Sequence, residues 1–189
     1  MPGLLKVGFF VMVHMTTNLI LVTGGTRSGK SSFAQNLAEA EEGRKVFIAT
    51  AEPLDQEMKK RIALHKNKRP AGWSTVEEPI HLAKTLKKCG DAYEVLLFDC
   101  LTLWISNLLV NKSMDEKAIL KKISVLVASC REVHARVIMV TNELGMGIVP
   151  SNPLSRLYRD LVGEANQQVA SEADEVYFLV SGIPMKLKG

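Results

Sequence analysis

The run GGTRSGKS at residues 24–31 carries more chemical information than any other part of this chain. It fits the pattern GxxxxGK[ST] and lies between the apolar residues 19–22 and a helix-like stretch that begins at Lys30. Glycines in such a loop let successive backbone N–H groups point at phosphate oxygens, and the following helix adds the positive end of its dipole. The pattern predicts nucleoside triphosphate binding, with Lys30 on the β- and γ-phosphates and the Ser31 hydroxyl on Mg²⁺.

Asp99 is the candidate second ligand for Mg²⁺, because it directly follows the buried-strand pattern of residues 95–98. Enzymes with a phosphate loop usually hold the metal with an acidic residue at the carboxyl end of a neighbouring strand. An aspartate at this position can instead cap the helix predicted at residues 101–110 by accepting backbone N–H bonds. We expect the metal role, with Ser31 and Asp99 as the metal-holding pair.

His65 is the candidate nucleophile. It shares one predicted helix face with Met58 and Ile62, a pattern that a half-buried core histidine satisfies equally well. The basic residues at 66–69 favour a neutral imidazole and can hold a triphosphate, whereas the nearby helix end favours the charged form. A neutral imidazole nitrogen can attack an α-phosphorus. The same basic cluster is otherwise explained as a solvated helix face.

Composition narrows the choice of partners. The formal net charge is only +4 over 189 residues, and no Lys/Arg block is long enough for a nucleic-acid arm, so nucleic acid is not favoured. The three cysteines lack CxxC spacing, which predicts reduced thiols in a cytoplasmic protein rather than disulfides or a zinc site. The apolar run at residues 7–13 is too short to span a bilayer. We interpret residues 1–17 as an N-terminal extension whose first 14 residues reflect an upstream translation start.

Residues 18–189 are predicted to form a single nucleotide-binding catalytic domain, because this length supports one full core. Strand patterns occur at residues 19–23, 45–50, 73–76, 94–98, 136–141 and 175–180. Helical patterns occur at residues 30–42, 54–68, 79–88, 101–110, 115–134 and 153–171. This alternation predicts an α/β fold of the P-loop NTPase, RecA-like kind, with a mostly parallel sheet and helices on both faces. Residues 143–152, ELGMGIVPSN, form either a binding loop or a plain connection.

Several longer segments add specificity. They are ILVTGGTRSGKSSFA from residue 20, FIAT from 47, RIALHKNKRPAGWSTVEEP from 61, LLFDCLTLWISNLL from 96, VTNELGMGIVP from 140 and VYFLVSGIPMKLK from 176. Together they resemble the family of bifunctional adenosylcobinamide kinases and adenosylcobinamide-phosphate guanylyltransferases of cobalamin biosynthesis. The resemblance covers nearly everything from residue 20 onward. The block from residue 61 and the NELGMGIVP segment are far more specific than the phosphate loop.

The resemblance implies two activities. ATP or GTP phosphorylates the aminopropanol hydroxyl of adenosylcobinamide, and GTP then guanylylates a histidine that passes GMP to adenosylcobinamide phosphate. His65 and Lys30 are the implied catalytic residues, and Asp99 or Glu143 is the candidate base for the hydroxyl. The implied nucleotide-binding residues are Gly24, Gly25, Thr26, Arg27, Ser28, Gly29, Lys30, Ser31, Ala49, Thr50, Ala51, Lys66, Asn67, Lys68, Arg69, Glu77 and Asp99. Glu77 and Glu78 are also candidates for accepting hydrogen bonds from guanine.

Two positions depart from the family pattern. Leu64 stands where some members carry a first histidine of a pair, but His65 keeps the spacing to Arg69 and Trp73 and is the better match. Thr26 replaces the usual alanine in a loop that acts through its backbone. The resemblance suggests a homo-oligomer, with a trimer and sites between subunits as the suggested form.

Three other functions compete with this one. A P-loop small-molecule kinase without a covalent intermediate explains the phosphate loop equally well. A GTP-dependent switch needs a DxxG motif followed by an NKxD motif. Here two residues rather than one separate Asn111-Lys112 from Asp115, and the DxxG at residues 160–163 comes after this segment instead of before it. A RecA-type motor on nucleic acid lacks an aromatic and basic strip.

Overall fold

A seven-stranded sheet forms the centre of the computed structural model, which describes residues 18–67, 69 and 71–189, with the backbone alone for Asn67. The extension predicted at residues 1–17 lies outside the described residues. The strands are β1 (Leu19–Gly24), β2 (Lys45–Ala49), β3 (Ser74–Glu77), β4 (Val95–Asp99), β5 (Arg136–Val140), β6 (Glu175–Val180) and β7 (Ile183–Lys188). The helices are α1 (Lys30–Glu39), α2 (Gln56–Asn67), α3 (Leu82–Gly90), α4 (Leu101–Ser106), α5 (Glu116–Glu132) and α6 (Pro153–Glu172).

The strand order is β3-β2-β4-β5-β1-β6-β7, and every neighbouring pair is parallel except β6 and β7. Because parallel strands point the same way, the carboxyl ends of β1, β2, β4 and β5 meet at one edge of the sheet. Val140, at the end of β5, is in register with Val22 of β1 on one side and with Asp99 of β4 on the other. The mostly parallel α/β sheet that the sequence predicts is confirmed.

Apolar side chains cover both faces of this sheet. On one face, alternate strand residues such as Leu96 and Val137 pack against α3, α4, α5 and α6. On the other face, Leu97 and Ile138 pack with Ala34 and Ala38 of α1. The central strands β1, β2, β4 and β5 are therefore buried on both sides, which explains why they contain runs of mostly apolar residues rather than alternating patterns.

Local signals set the ends of several helices. Asp115 accepts a hydrogen bond from the Ala118 N–H at the start of α5, and Asn152 does the same for the Ser155 N–H at the start of α6. Pro153 occupies the first turn of α6, where its missing N–H costs nothing. No helix in the described part of the chain is long and apolar enough to cross a bilayer.

Several elements differ from the sequence-based predictions, among them the helix predicted at residues 30–42, which ends at Glu39. β7 was missed, although it is joined to β6 by the short Ser181-Gly182 turn. The helix predicted at residues 101–110 changes after Ser106 into a π-helical turn, Asn107–Asn111. The helix predicted at residues 79–88 begins only at Leu82, because Glu78 bonds the backbone before it.

Candidate nucleotide site

The loop between β1 and α1 curls around the side chain of Lys30. Lys30 is buried, and its Nζ donates a hydrogen bond to the Gly25 carbonyl at 2.6 Å. Gly29 has a φ of 95° and caps α1, while Gly24 lies so near Leu179 that an added Cβ would come within 2.5 Å of that residue's carbonyl oxygen. Both positions require glycine, for conformation and for space respectively. Thr26 and Arg27 form the exposed tip of the loop.

A contact that the sequence did not reveal supports this loop from β7. The Gly182 N–H donates a hydrogen bond to the Ser28 carbonyl at 2.9 Å, and Gly182 also lies against Gly29. The turn between β6 and β7 therefore fixes the loop from outside the β1–α1 unit. The only sequence signal was Ser181-Gly182 between two apolar runs, a spacing typical of a hairpin.

Asp99 ends β4 beside the loop. Burial raises the pKa of its carboxyl group, and the nearby Ser31 hydroxyl together with the charges of His65, Lys30 and Arg69 oppose that rise. Burial lowers the pKa of the Lys30 ammonium group, whereas Cys100 and Asp99 act to raise it. The carboxylate and the ammonium group thus lie in one desolvated site, where each partly compensates the other.

Asp99 does not cap α4. Cys100 occupies the cap position and makes no side-chain cap bond, and Asp99 Oδ2 has no hydrogen-bond partner among the described residues. A carboxylate oxygen without a partner beside the Ser31 hydroxyl is the donor set that a hard cation such as Mg²⁺ prefers. No cluster of three His, Cys, Asp or Glu side chains that could hold a metal ion occurs within residues 18–67, 69 and 71–189.

Buried polar atoms without partners concentrate at this edge of the sheet. Across the described part of the chain, the side chains that carry such atoms are Thr23, Ser28, Arg69 and Asp99. Proteins rarely leave buried polar atoms unpaired, so each one points to a missing partner. Three of the four were predicted from the sequence as site residues, and Thr23 directly precedes the loop.

His65 lies on α2, and its side chain is exposed rather than packed in a core. Its effect on the pKa of Asp99 places the imidazole within electrostatic range of the loop. The apolar helix face that the sequence predicts is only half-buried at Met58 and Ile62, and Leu64 is 61% exposed. The alternative of a core histidine is therefore excluded.

The basic residues after His65 connect α2 to the sheet. Lys66 forms an ion pair with Glu77, the last residue of β3. Arg69 stacks its guanidinium group 4.3 Å above the Phe47 ring and donates a hydrogen bond to Thr75 Oγ1 at 3.2 Å. Lys68 and the side chain of Asn67 lie outside the described residues, so their predicted contacts remain predictions.

The two candidates for guanine recognition differ in their contacts. The Glu78 carboxylate accepts bonds from the N–H groups of Ile80 and His81 and from the Thr85 hydroxyl, so it stabilises the start of α3. Burial acts to raise its pKa, but these bonds hold the pKa below its usual value. Glu77 is exposed, and its hydrogen bond from Lys66 lowers its pKa. Glu77 is therefore the carboxylate with room for a ligand.

Thr50 holds the site together rather than facing outward. Its hydroxyl donates to the Cys100 carbonyl and accepts from the Cys100 N–H, both at 2.8 Å. Its carbonyl accepts from the amide of Asn107 at 2.7 Å, and the same amide donates to the Pro79 carbonyl at 3.2 Å. Ala49 and Ala51 flank Thr50 in this segment. Asn107 was missed, and the signal that could have revealed it is an amide side chain among the mostly apolar residues 101–110.

The segment at residues 143–152 continues from β5 toward the loop. The Glu143 N–H donates a hydrogen bond to the Gly24 carbonyl at 3.0 Å. Two arginines of α6 hold its backbone, since Arg159 bonds the Gly145 carbonyl and Arg156 bonds the carbonyls of Pro150 and Ser151. It is thus an ordered part of the site edge and not a loose connection.

Comparison with known proteins agrees with this geometry. The family model described as cobinamide kinase / cobinamide phosphate guanyltransferase matches residues 20–187. The Pseudomonas aeruginosa protein named bifunctional adenosylcobalamin biosynthesis protein CobP is 46% identical over 170 residues, which cover 89% of this chain and 96% of that protein. The Escherichia coli protein named bifunctional adenosylcobalamin biosynthesis protein CobU is 42% identical over 181 residues, which cover 90% and 99%.

A solved structure of the P4 protein from bacteriophage phi6 in complex with ADP aligns with 88% of this chain and 52% of its own, at 15% identity and a TM-score of 0.46. That similarity is too low to bear on fold or function. The family assignment depends instead on the family match over residues 20–187 and on two relatives that are more than 40% identical and are aligned over almost their whole length. The chain therefore belongs to the cobinamide kinase / cobinamide phosphate guanyltransferase family and is a bifunctional enzyme of that family.

Proposed function

We propose that this enzyme phosphorylates adenosylcobinamide and then transfers GMP from GTP to adenosylcobinamide phosphate through a guanylyl group on His65. The observation that carries the proposal is the set of buried, unpartnered polar atoms on Ser28, Arg69 and Asp99, which surround the phosphate loop. A bound triphosphate supplies acceptors for hydroxyl and guanidinium donors, and its cation supplies a partner for the carboxylate. The exposed His65 lies within electrostatic range of this same site.

The phosphate loop serves both half-reactions in this proposal. Backbone N–H groups of residues 24–31 and the ammonium group of Lys30 hold the phosphate tail. Ser31 and Asp99 are the residues that would hold Mg²⁺, which when bound neutralises charge on the transferring group. The low-dielectric setting of Lys30 strengthens its attraction for phosphate oxygens.

The guanylyl step uses the imidazole of His65. Its neutral nitrogen attacks the α-phosphorus of GTP, the bond to the bridging oxygen breaks, and pyrophosphate leaves. The phosphate of adenosylcobinamide phosphate then attacks the same phosphorus and releases the imidazole. Capture on His65 divides one transfer into two displacements, so one pocket can serve two acceptors in turn. Glu77, which is ion-paired with Lys66, accepts hydrogen bonds from guanine in this proposal.

The decisive experiment is incubation with α-labelled GTP and Mg²⁺ followed by denaturation. We expect acid-labile label on the wild-type protein and none on His65→Ala. His134→Ala is the matched control, because His134 is also exposed but precedes β5 at the opposite edge of the sheet, and we expect it to label normally. Absence of label on the wild-type protein, with cobinamide still phosphorylated, would favour the plain kinase instead.

We also propose a cytoplasmic homo-oligomer, with a trimer as the first form to test. Free, buried cysteines at positions 89, 100 and 130 support a reducing compartment. The edge strand β7 supports assembly, because Ile183 is 67% exposed and Met185 and Leu187 are also exposed on it. Light scattering after size exclusion tests this, and Met185→Lys is expected to shift the mass toward the monomer.

A further inference from the structure

The backbone places Glu143 beside the phosphate loop. β5 lies between β1 and β4, and Val140 is in register with both Val22 and Asp99. The chain then continues along β1, since the Thr141 N–H bonds the Val22 carbonyl and the Glu143 N–H bonds the Gly24 carbonyl, each at 3.0 Å. The backbone of Glu143 therefore lies beside Gly24, the first residue of the phosphate loop.

The side chain of Glu143 is also held in place. It is half-buried, and its Oε1 accepts a hydrogen bond from the Gly145 N–H. The Gly145 carbonyl in turn accepts from Arg159 of α6 at 2.8 Å, so the backbone that orients the carboxylate is itself anchored. Within the described part of the chain, no cation pairs with Glu143. The carboxylate remains available to accept a proton.

Asp99 is less suited to that task. Its carboxylate is desolvated and lies among the Ser31 hydroxyl, Lys30 and Arg69, the groups that bind phosphate and metal in the proposed function. A carboxylate that holds a cation cannot also accept the proton of an incoming alcohol. Of the two candidates, Glu143 is the one whose carboxylate is not assigned to phosphate or metal binding.

We propose that Glu143 is the catalytic residue that accepts the proton of the acceptor hydroxyl in the phosphorylation half-reaction, an inference that rests on the proposed function. The hydroxyl proton moves to the Glu143 carboxylate as the alcohol oxygen forms a bond to the γ-phosphorus. The bond between that phosphorus and the β,γ-bridging oxygen breaks, and the nucleoside diphosphate leaves with the electron pair. Glu143 then returns its proton to water.

The proposal separates the two half-reactions, because guanylylation of His65 needs no hydroxyl to be deprotonated. Glu143→Gln is therefore expected to lower kcat for phosphorylation of cobinamide about 100-fold or more, the range that general bases contribute. The same variant is expected to accept label from α-labelled GTP like the wild-type protein.

Two further variants test the assignment. Glu164→Gln removes an exposed carboxylate from α6 and is expected to change neither activity, and Glu143→Asp is expected to recover part of kcat. A Glu143→Gln enzyme with wild-type kcat, or one that loses phosphorylation and labelling equally, would overturn the assignment while leaving the proposed function intact. Failure of the wild-type protein to phosphorylate cobinamide would instead overturn the proposed function, and the assignment with it.

Discussion

Lys66, in the last turn of α2, is ion-paired with Glu77, the last residue of β3. The pair joins the helix that carries His65 to the edge of the sheet that carries the phosphate loop. Both side chains are about half-exposed, so the pair contributes little to stability by itself. Its main effect is to keep Glu77 ionised beside the site, because the hydrogen bond from Lys66 lowers the pKa of Glu77.

Replacement of Glu77 is expected to weaken recognition of guanine. Glu77→Gln keeps the shape but removes the charge, and hydrogen bonds to a charged group contribute roughly 1.5–3 kcal/mol. The GTP concentration for half-maximal labelling of His65 is therefore expected to rise about 10- to 100-fold. Inosine triphosphate, which lacks the 2-amino group of guanine, should lose less affinity than GTP in this variant.

The neighbouring carboxylate provides the control. Glu78→Gln weakens the bonds at the start of α3 and is expected to cost about 1 kcal/mol of unfolding free energy. Its dependence on GTP concentration should match the wild-type protein. Exchange of these two phenotypes, with Glu78 governing GTP and Glu77 governing stability, would contradict the assignment.

The ionised carboxylate of Asp99 is expected to lower the free energy of unfolding. Because burial raises its pKa, the ionised carboxylate is penalised in the folded protein. The penalty is absent below the unfolded value of 3.8, grows as the pH rises toward the folded pKa, and is complete above it. Asp99→Asn is therefore expected to gain about 1 kcal/mol of stability at neutral pH and to lose both activities.

Thermal unfolding as a function of pH measures this effect. The difference between Asp99→Asn and the wild-type protein should be largest near pH 7 and vanish as the pH approaches 4. Asp91→Asn, at an exposed aspartate after α3, should show no such trend. An Asp99→Asn protein that is less stable than the wild-type protein at neutral pH would show that the carboxylate is stabilising and that the desolvation argument is wrong.

Much of the sheet could be predicted because its strands are buried on both faces. β1, β4 and β5 appear in the sequence as short apolar runs, and Asp99 and the phosphate loop then follow from their position at strand ends. β7 was missed although Ile183, Met185 and Leu187 alternate along it, because the run is short and contains Pro184, which weakens a strand pattern. It pairs antiparallel with β6, and the Ser181-Gly182 turn between them was the local signal of this hairpin.

The candidate site also combines residues that the sequence predicts with contacts that only the structure shows. Spacing identified His65 but could not decide whether its helix is buried, because a helix face predicts an apolar partner only when another element covers it. The structure leaves most of α2 exposed, and His65 with it. The roles of Asn107 and Gly182 could not be predicted, since each bonds backbone groups far away in the sequence.

Asn107 is expected to position the segment at Thr50. Asn107→Leu leaves the buried carbonyls of Thr50 and Pro79 without donors, a change that costs about 1–3 kcal/mol of unfolding free energy. Asn111→Ala is the matched control. Asn111 is exposed and its amide bonds the Glu52 carboxylate, so its loss should cost less than about 0.5 kcal/mol. Urea denaturation measures both, and equal costs for the two variants would refute the positioning role.

Gly24 and Gly25 of the phosphate loop differ in the space available for an added Cβ atom. Gly24 has a φ of 148°, and an added Cβ would come within 2.5 Å of the Leu179 carbonyl oxygen and 2.9 Å of Ser28 Oγ. At Gly25 an added Cβ would meet nothing within 4 Å. Gly24→Ala is therefore expected to lower the unfolding free energy by about 1–3 kcal/mol, the cost of a strained backbone position.

Gly25→Ala isolates the effect of the loop itself. It should leave the unfolding free energy within about 0.5 kcal/mol of the wild-type value. Any loss of nucleotide affinity in Gly25→Ala must then come from the surface that faces the ligand, whereas the loss in Gly24→Ala should follow its lower stability and the displacement of the β6 contact at Leu179. Urea denaturation combined with titration of a fluorescent nucleotide separates the two. Equal destabilisation by both substitutions would mean that the contact between Gly24 and Leu179 does not shape the loop.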